Sequence, residues 1–400
     1  LREGLALLPR RPAVLPHTKI AALAIGADGK RAVSVSLDGW VGIWDLESRI
    51  ELGRLDTRMN AAHAAVSADL SAVAFAVEKD VVVVRIADGQ VVAQAAHKRL
   101  VTAIAFNRDS TLVAAGSLDR WVSVTSLPDG REVGRFEHRD PVEAIAFSDD
   151  SRLIATGTGS VARGLSQRTT QDEAAHVWEI ASGRRLARFT HPHVVEAVAF
   201  SPDSRTLVTG CRDGSARVWD VETQRELVRV PHPDGVEVVR VSPDGRYVAS
   251  GSTPHLFASR DQTVQIWEMA NGREVRRVTH EDAIRSIAFS PDGRTIASAS
   301  VDRTVRLSGV DASENARLAL DDYPSVLAFA PDGKHLIVGG PGLQIVRVES
   351  GFLPMRLGLQ GTRLEDGSAA VGSHRRGGRE RQCHGRLGIW HERTALSRRT

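Results

Sequence analysis

The feature that most constrains this chain of 400 residues is an internal repeat of about forty. Segments such as AVAFSPDSRTLVTGCRDGSARVWD (197–220) and SIAFSPDGRTIASASVDRTVRLSG (286–309) are versions of one template. Anchored on the apolar residue before each Ser-Pro-Asp-Gly-like turn, the copies fall at Ile25, Val66, Phe106, Phe147, Phe200, Val241, Phe289 and Phe329. The spacings are 41, 40, 41, 53, 41, 48 and 40. The two long ones carry their surplus at the same point of the template, so they are loop insertions in an intact repeat. A fixed period of this size means that each copy is one supersecondary unit stacked on its neighbours.

Within the fifth copy, Val195 to Phe200 alternates as a strand and Ser201-Pro202-Asp203 opens a turn, because Pro presets φ and Asp caps its own backbone. Leu207-Val208 lies in a second strand, Arg212-Asp213-Gly214 turns again, Val218-Trp219 ends a third strand, and Glu226-Leu227-Val228 supplies a fourth. Short strands at even spacing imply an all-β closed array. A four-stranded sheet cannot bury both faces alone, whereas radial stacking buries them and leaves few edges. The expectation is a β-propeller over residues 13–351 with eight legible repeats. Ala13-Val14-Leu15 would be an outer strand that closes the ring on the last copy. Eight blades is the simplest closure, and seven plus a surplus module is the rival.

These segments resemble the WD-repeat family. Trp44-Asp45 and Trp219-Asp220 keep the Trp-Asp pair, Trp178-Glu179 and Trp267-Glu268 a close variant, and Arg85, Thr125, Ser308 and Val348 replace the tryptophan elsewhere. The resemblance implies a polar tetrad of His, Ser or Thr, turn Asp and Trp in four copies. These are His17, Ser34, Asp38, Trp44; His138, Thr156, Asp172, Trp178; His191, Thr209, Asp213, Trp219; and His232, Ser250, Asp261, Trp267. The seventh copy keeps His280, Ser298 and Asp302. A buried carboxylate with its acceptors filled in this way would fix each sheet's geometry, and copies two and eight, which lack most of it, are expected to be softer. Known arrays of this appearance are attached to bacterial signalling proteins, which implies an upstream domain in the same chain.

Composition narrows the rest. No apolar run approaches the roughly 20 residues of a membrane-spanning helix. Two cysteines, Cys211 and Cys383, make neither a disulfide framework nor a multi-cysteine metal site, which fits a reducing, cytoplasmic setting. The 47 Arg against 5 Lys suggest a GC-rich, bacterial coding sequence. The net charge of +3 hides a tail after Gly351 with ten arginines and four acids, which leaves the body at −3. Residues 352–400 therefore read as a degenerate ninth repeat or a disordered tail, and 1–12 as a linker or the end of an upstream helix. No phosphate loop, kinase signature or metal-ligand cluster is present, so no cofactor or metal is expected, and the chain reads as a non-enzyme.

The departures from the template carry the functional reading. The inserts 158–171 and 252–260 occupy the same turn of copies four and six, so they emerge on one face and flank copy five. Arg163, Gln167 and Arg168 on one, and His255, Phe257 and Arg260 on the other, suit a recognition surface on a rigid scaffold. The expected function is a protein-interaction or sensing platform for a polypeptide. The alternatives are a propeller enzyme with loop-borne catalytic groups and nucleic-acid binding through the basic tail.

Overall fold

The computed structural model describes residues 20–48, 50–159, 172–252, 262–311, 315–340 and 342–348. They form eight antiparallel sheets in a ring, each a consecutive meander of strands a to d running outward from a central channel. Seven sheets have four strands and the eighth has three among the described residues. Blade four is Val142–Phe147, Leu153–Thr158, Ala174–Glu179 and Arg185–Thr190. Blade five is Val195–Phe200, Thr206–Cys211, Ser215–Asp220 and Glu226–Pro231; blade six is Val236–Val241, Tyr247–Ser252, Thr263–Glu268 and Glu274–Thr279. The eighth consists of Val326–Phe329, His335–Gly339 and Leu343–Arg347.

The turn chemistry explains the even spacing. In blade five, the Ser201 hydroxyl bonds to the Asp203 carboxylate and receives the Thr206 N–H at 3.0 Å, while Arg205 N–H donates to Asp203 at 3.1 Å. The same Ser–Asp arrangement recurs at Ser148–Asp150, Ser242–Asp244 and Ser290–Asp292. The chain must pass through positive φ to complete the hairpin. Gly245 does so at +71° without strain, and Ser204 occupies the equivalent place at +60°.

Each gap between neighbouring blades holds its own apolar core. Phe189 of blade four packs with Leu207 and Trp219 of blade five, and Val208, Val218 and Val230 of blade five pack with Trp267 of blade six. Alternation delivers this directly, since successive residues of a strand serve the two faces of a blade. The ring closes on eight. Trp44 and Leu46 of blade one share a core with Ile337 of blade eight, and Ile20 donates its N–H to the Gly340 carbonyl at 3.0 Å. The innermost strands contact one another in an unbroken cycle that includes the first and the eighth. The outer strand expected at Ala13-Val14-Leu15 lies outside the described residues, as do 1–12 and 349–400.

Candidate functional site

The turns between strands b and c lie beside the starts of the inner strands. Arg212 N–H bonds to the Val194 carbonyl at 2.9 Å, Leu118 to Leu100 at 2.9 Å and Val301 to Ala283 at 3.0 Å. Both inserts interrupt such turns. Blade four's begins just past Gly159, whose N–H reaches Pro141 O at 3.1 Å, and blade six's follows Ser252, which pairs with Val236. The described ends that flank both inserts therefore stand at the mouth of the central channel, on one face. Arg163, Gln167, Arg168, His255, Phe257 and Arg260 lie outside the described residues.

At this mouth the second position of the inner strand reads Ala21, Ala62, Thr102, Glu143, Glu196, Glu237, Arg285 and Ser325 around the ring. The ladder slips between Val142 and Ala144, Val195 and Ala197, and Val236 and Val238. Glu143, Glu196 and Glu237 are thus the extra residues of β-bulges, and a bulge turns its side chain out of the ladder. Glycines let the strands come this close: a Cβ at Gly157 would stand 2.6 Å from Val195 O, and one at Gly210 2.7 Å from Val236 O. Three acids on consecutive blades, four to six, result. Glu196 is paired with Arg212 at 2.9 Å. Burial and the neighbouring Glu196 charge push Glu143 up to about 7, against the opposing pull of Arg212. Sequence reasoning found no convergent acids off the repeat positions. The glutamates escaped it because their convergence depends on the bulge, although comparing the second position across copies would have flagged three in a row. Cys211, beneath this turn, bonds through Sγ to His193 O at 3.2 Å and is pushed up to about 12 by burial, so it is an inert thiol.

The tetrad residues divide in an instructive way. In blade five, Thr209 joins His191 Nε2 at 2.9 Å to Trp219 Nε1 at 3.0 Å, and in blade six Ser250 joins His232 at 2.8 Å to Trp267 at 2.9 Å. Blade one has the Trp44–Ser34 bond at 2.9 Å, while Asp38 meets Ser36 and not Ser34 or Trp44. Blade four has His138–Thr156 at 2.8 Å, and Trp178 Nε1 has no acceptor. The carboxylate does not complete these chains. Asp172 pairs with His176 at 3.1 Å and Arg188 at 2.7 Å, and Asp213 with Arg217 and Ser215. His191 Nδ1 instead bonds to Phe189 O at 2.9 Å. His176 and Arg217 sit four residues after their aspartates, on strand c, and reach the carboxylate before the blade's histidine does. In two blades the aspartate does bind the histidine: Asp119 reaches His97 Nδ1 at 3.2 Å in blade three, with Ser123 taking Nε2 at 3.0 Å. Asp302 likewise binds His280 at 3.0 Å in blade seven, where Ser298 takes Nε2 at 2.8 Å, although Arg306 stands four residues after it on strand c. His17 and Asp261 lie outside the described residues. In blades two and eight, Thr57 and Leu320 make the backbone bond that the histidines make elsewhere.

Among the described residues, no group of three or more His, Cys, Asp or Glu is arranged to hold a metal ion, and no helix is long and apolar enough to cross a membrane.

The model of the WD domain, G-beta repeat, matches residues 89–126, 130–163, 183–220, 225–268 and 272–307. Each match begins near an outer strand; four of them end in or at strand c of the next blade and 130–163 stops past strand b, so the repeat unit is offset from the blade by one strand. Among solved structures, the crystal structure of the computationally designed Ika8 protein superimposes with a TM-score of 0.69 at 22% identity, covering 84% of this chain and 98% of that one. Among curated proteins no relative matches. With 1873 matching chains of known structure, the likeness identifies the fold and does not narrow the function. Five family-matched repeats within a closed ring of eight blades make the chain a member of the WD40-repeat β-propellers.

Proposed function

We propose that this propeller is a non-catalytic platform that binds a polypeptide partner on its insert-bearing face, as part of a larger bacterial signalling protein in the cytoplasm. Propellers of this family commonly serve as protein-interaction scaffolds. The observation that carries the reading is the coincidence at blades four to six: both inserts start there, and there the channel mouth holds Glu143, Glu196 and Glu237. Departures from a shared template that fall together on three consecutive blades support a recognition role for that sector. The insert sequences supply Arg163, Arg168 and Arg260 and the channel mouth supplies three carboxylates, charges of both signs that favour specificity and rapid encounter.

Reversing the charge of Arg163, Arg168 and Arg260 to Glu together is expected to lower recovery of the co-purifying partner by about tenfold or more, with rim and core charges contributing unequally. The melting temperature should stay within about 2 °C, because surface changes away from packing or capping rarely cost more than ~0.5 kcal/mol each. Unchanged recovery would place the binding surface elsewhere.

A further inference from the structure

The opposite end of the channel, at the turns between strands a and b, holds a cavity of about 640 Å³. Inner strands of blades four, five and six wall it, with Phe147, Phe200 and Val241 at the rim. At the fifth position of the inner strand, seven blades carry alanine, from Ala24 in blade one to Ala328 in blade eight. Small side chains there keep eight converging strands from filling their own channel. Blade six breaks the pattern with Arg240, which lines the cavity.

Arg240 spends one donor, Nη1, on the adjacent Val239 carbonyl at 2.9 Å. Among the described residues no acid pairs with it, and the rest of its five donors have no protein acceptor. Its surface is open to the channel, yet protein surrounds it on all sides, and this burial lowers its pKa. The other charges lining the cavity, Arg108 and Asp149, neutralise each other in an ion pair. The cavity thus has the size typical of small-ligand sites, an apolar stretch at Phe147 and Phe200 within a mixed lining, and one guanidinium without an acid partner among the described residues.

We propose that this cavity binds a carboxylate carried on an apolar body, the carboxylate meeting the Arg240 fork and the body lying against Phe147 and Phe200. A planar guanidinium matches a carboxylate through two parallel hydrogen bonds. A single cation favours a monoanion, since a phosphate dianion would bring a second charge with no second cation left to pair it. The carboxylate can belong to a free hydrophobic acid or to the C-terminus of a polypeptide. This site lies on the face opposite the inserts and does not depend on the function proposed above.

The test uses the full chain, its R240A and R240K variants, and calorimetric titration with 4-phenylbutyrate, 4-phenylbutyramide, inorganic phosphate and the tetrapeptide Gly-Gly-Leu-Phe with free or amidated C-terminus. R240A installs the residue of the other seven blades, so the fold should survive, which a thermal melt checks. Saturable binding of the acid or of the free-ended peptide is expected, weakened by about tenfold or more in R240A, as for loss of a hydrogen-bonded charge. R240K should recover part of it, and the amides should bind wild type and R240A equally weakly. Binding of the small acid alone assigns a free acid, and binding of the free-ended peptide alone assigns a polypeptide terminus. Three results would overturn the proposal: equal binding by wild type and R240A, no saturable binding of either carboxylate up to its solubility, or phosphate binding as tightly as both.

Discussion

Acidification from pH 7 to pH 4 should unfold the propeller, with stability falling from about pH 6.5 downward. His138 and His191 are buried in the interfaces that join blade three to four and four to five. Burial, reinforced by the neighbouring His176, holds His138 down to about 3. Burial and the Arg217 charge hold His191 down to about 4. His280 is lowered by burial too, although Asp302 opposes it. A histidine whose folded pKa lies below its unfolded value of 6.5 stays neutral in the fold and takes up its proton only on unfolding. Its contribution is therefore complete above pH 6.5 and is lost as pH falls towards the folded pKa. For His138 and His191 together the loss by pH 4 is on the order of 5 kcal/mol, against a total of about 5–15 kcal/mol for a typical domain. Asp302, held down to about 2 by backbone and Thr304 hydrogen bonds and His280 in spite of burial, adds to the loss at the acid end. Glu143 has the opposite sign. Its folded pKa of about 7 exceeds the unfolded 4.5, so it destabilises the fold as pH rises through that window and partly offsets the histidines as pH falls. Thermal melts at pH 7, 6, 5 and 4 should show a melting temperature that drops increasingly steeply, and a flat profile to pH 4 would refute the buried-neutral assignment.

The second large effect is expected from T209V. Thr209 is fully buried. His191 Nδ1 lies 2.9 Å from the Phe189 carbonyl, so Nδ1 carries the proton and Nε2 is the acceptor. The Thr209 hydroxyl then donates to His191 Nε2 and accepts from Trp219 Nε1. Valine keeps the shape and strands both buried partners, at a cost of about 1–3 kcal/mol for each unsatisfied group. The two rings are also held against each other, with Trp219 stacked on Phe189 at 4.9 Å and edge-on to His191 at 5.3 Å. The equivalent T156V in blade four should cost about half as much, because Trp178 Nε1 already lacks an acceptor and only His138 loses a bond. Urea denaturation of both variants checks this, and equal losses would mean that the indole bond contributes nothing.

Periodicity made the strands, turns, inserts and number of copies legible in the sequence, because each copy repeats the same alternation and turn residues. The choice of eight blades over seven rests on features that no single copy contains: the Trp44–Ile337 core and the Ile20–Gly340 bond across the closure. The polar tetrads were legible as residue types and less so as partners. Whether an aspartate reaches its histidine is not fixed by residue type: Asp302 binds His280 with Arg306 four residues later, where Arg217 captures Asp213. His176 captures Asp172, whereas in blade three Asp119 reaches His97. In that blade the hydroxyl has moved from strand b, where Ala115 now stands, to strand c, so a template match at fixed spacing misses the link. Glu143, Glu196 and Glu237 were missed because a bulge, and not an alternation pattern, presents them. Arg240 is hidden from a template of shared residues because it stands in one copy alone, where the other seven carry alanine.

The most direct measurement of the central claim removes the departures and leaves the ring. Closing the turns of blades four and six with the short turn of blade five, Arg212 to Gly214, in place of residues 159–173 and 253–262, gives a propeller with uniform turns. The account predicts an unchanged cooperative melt and loss of partner binding when the grafted and native chains are compared against the same partner. Full binding by the grafted chain would contradict it and leave the inserts as tolerated decoration.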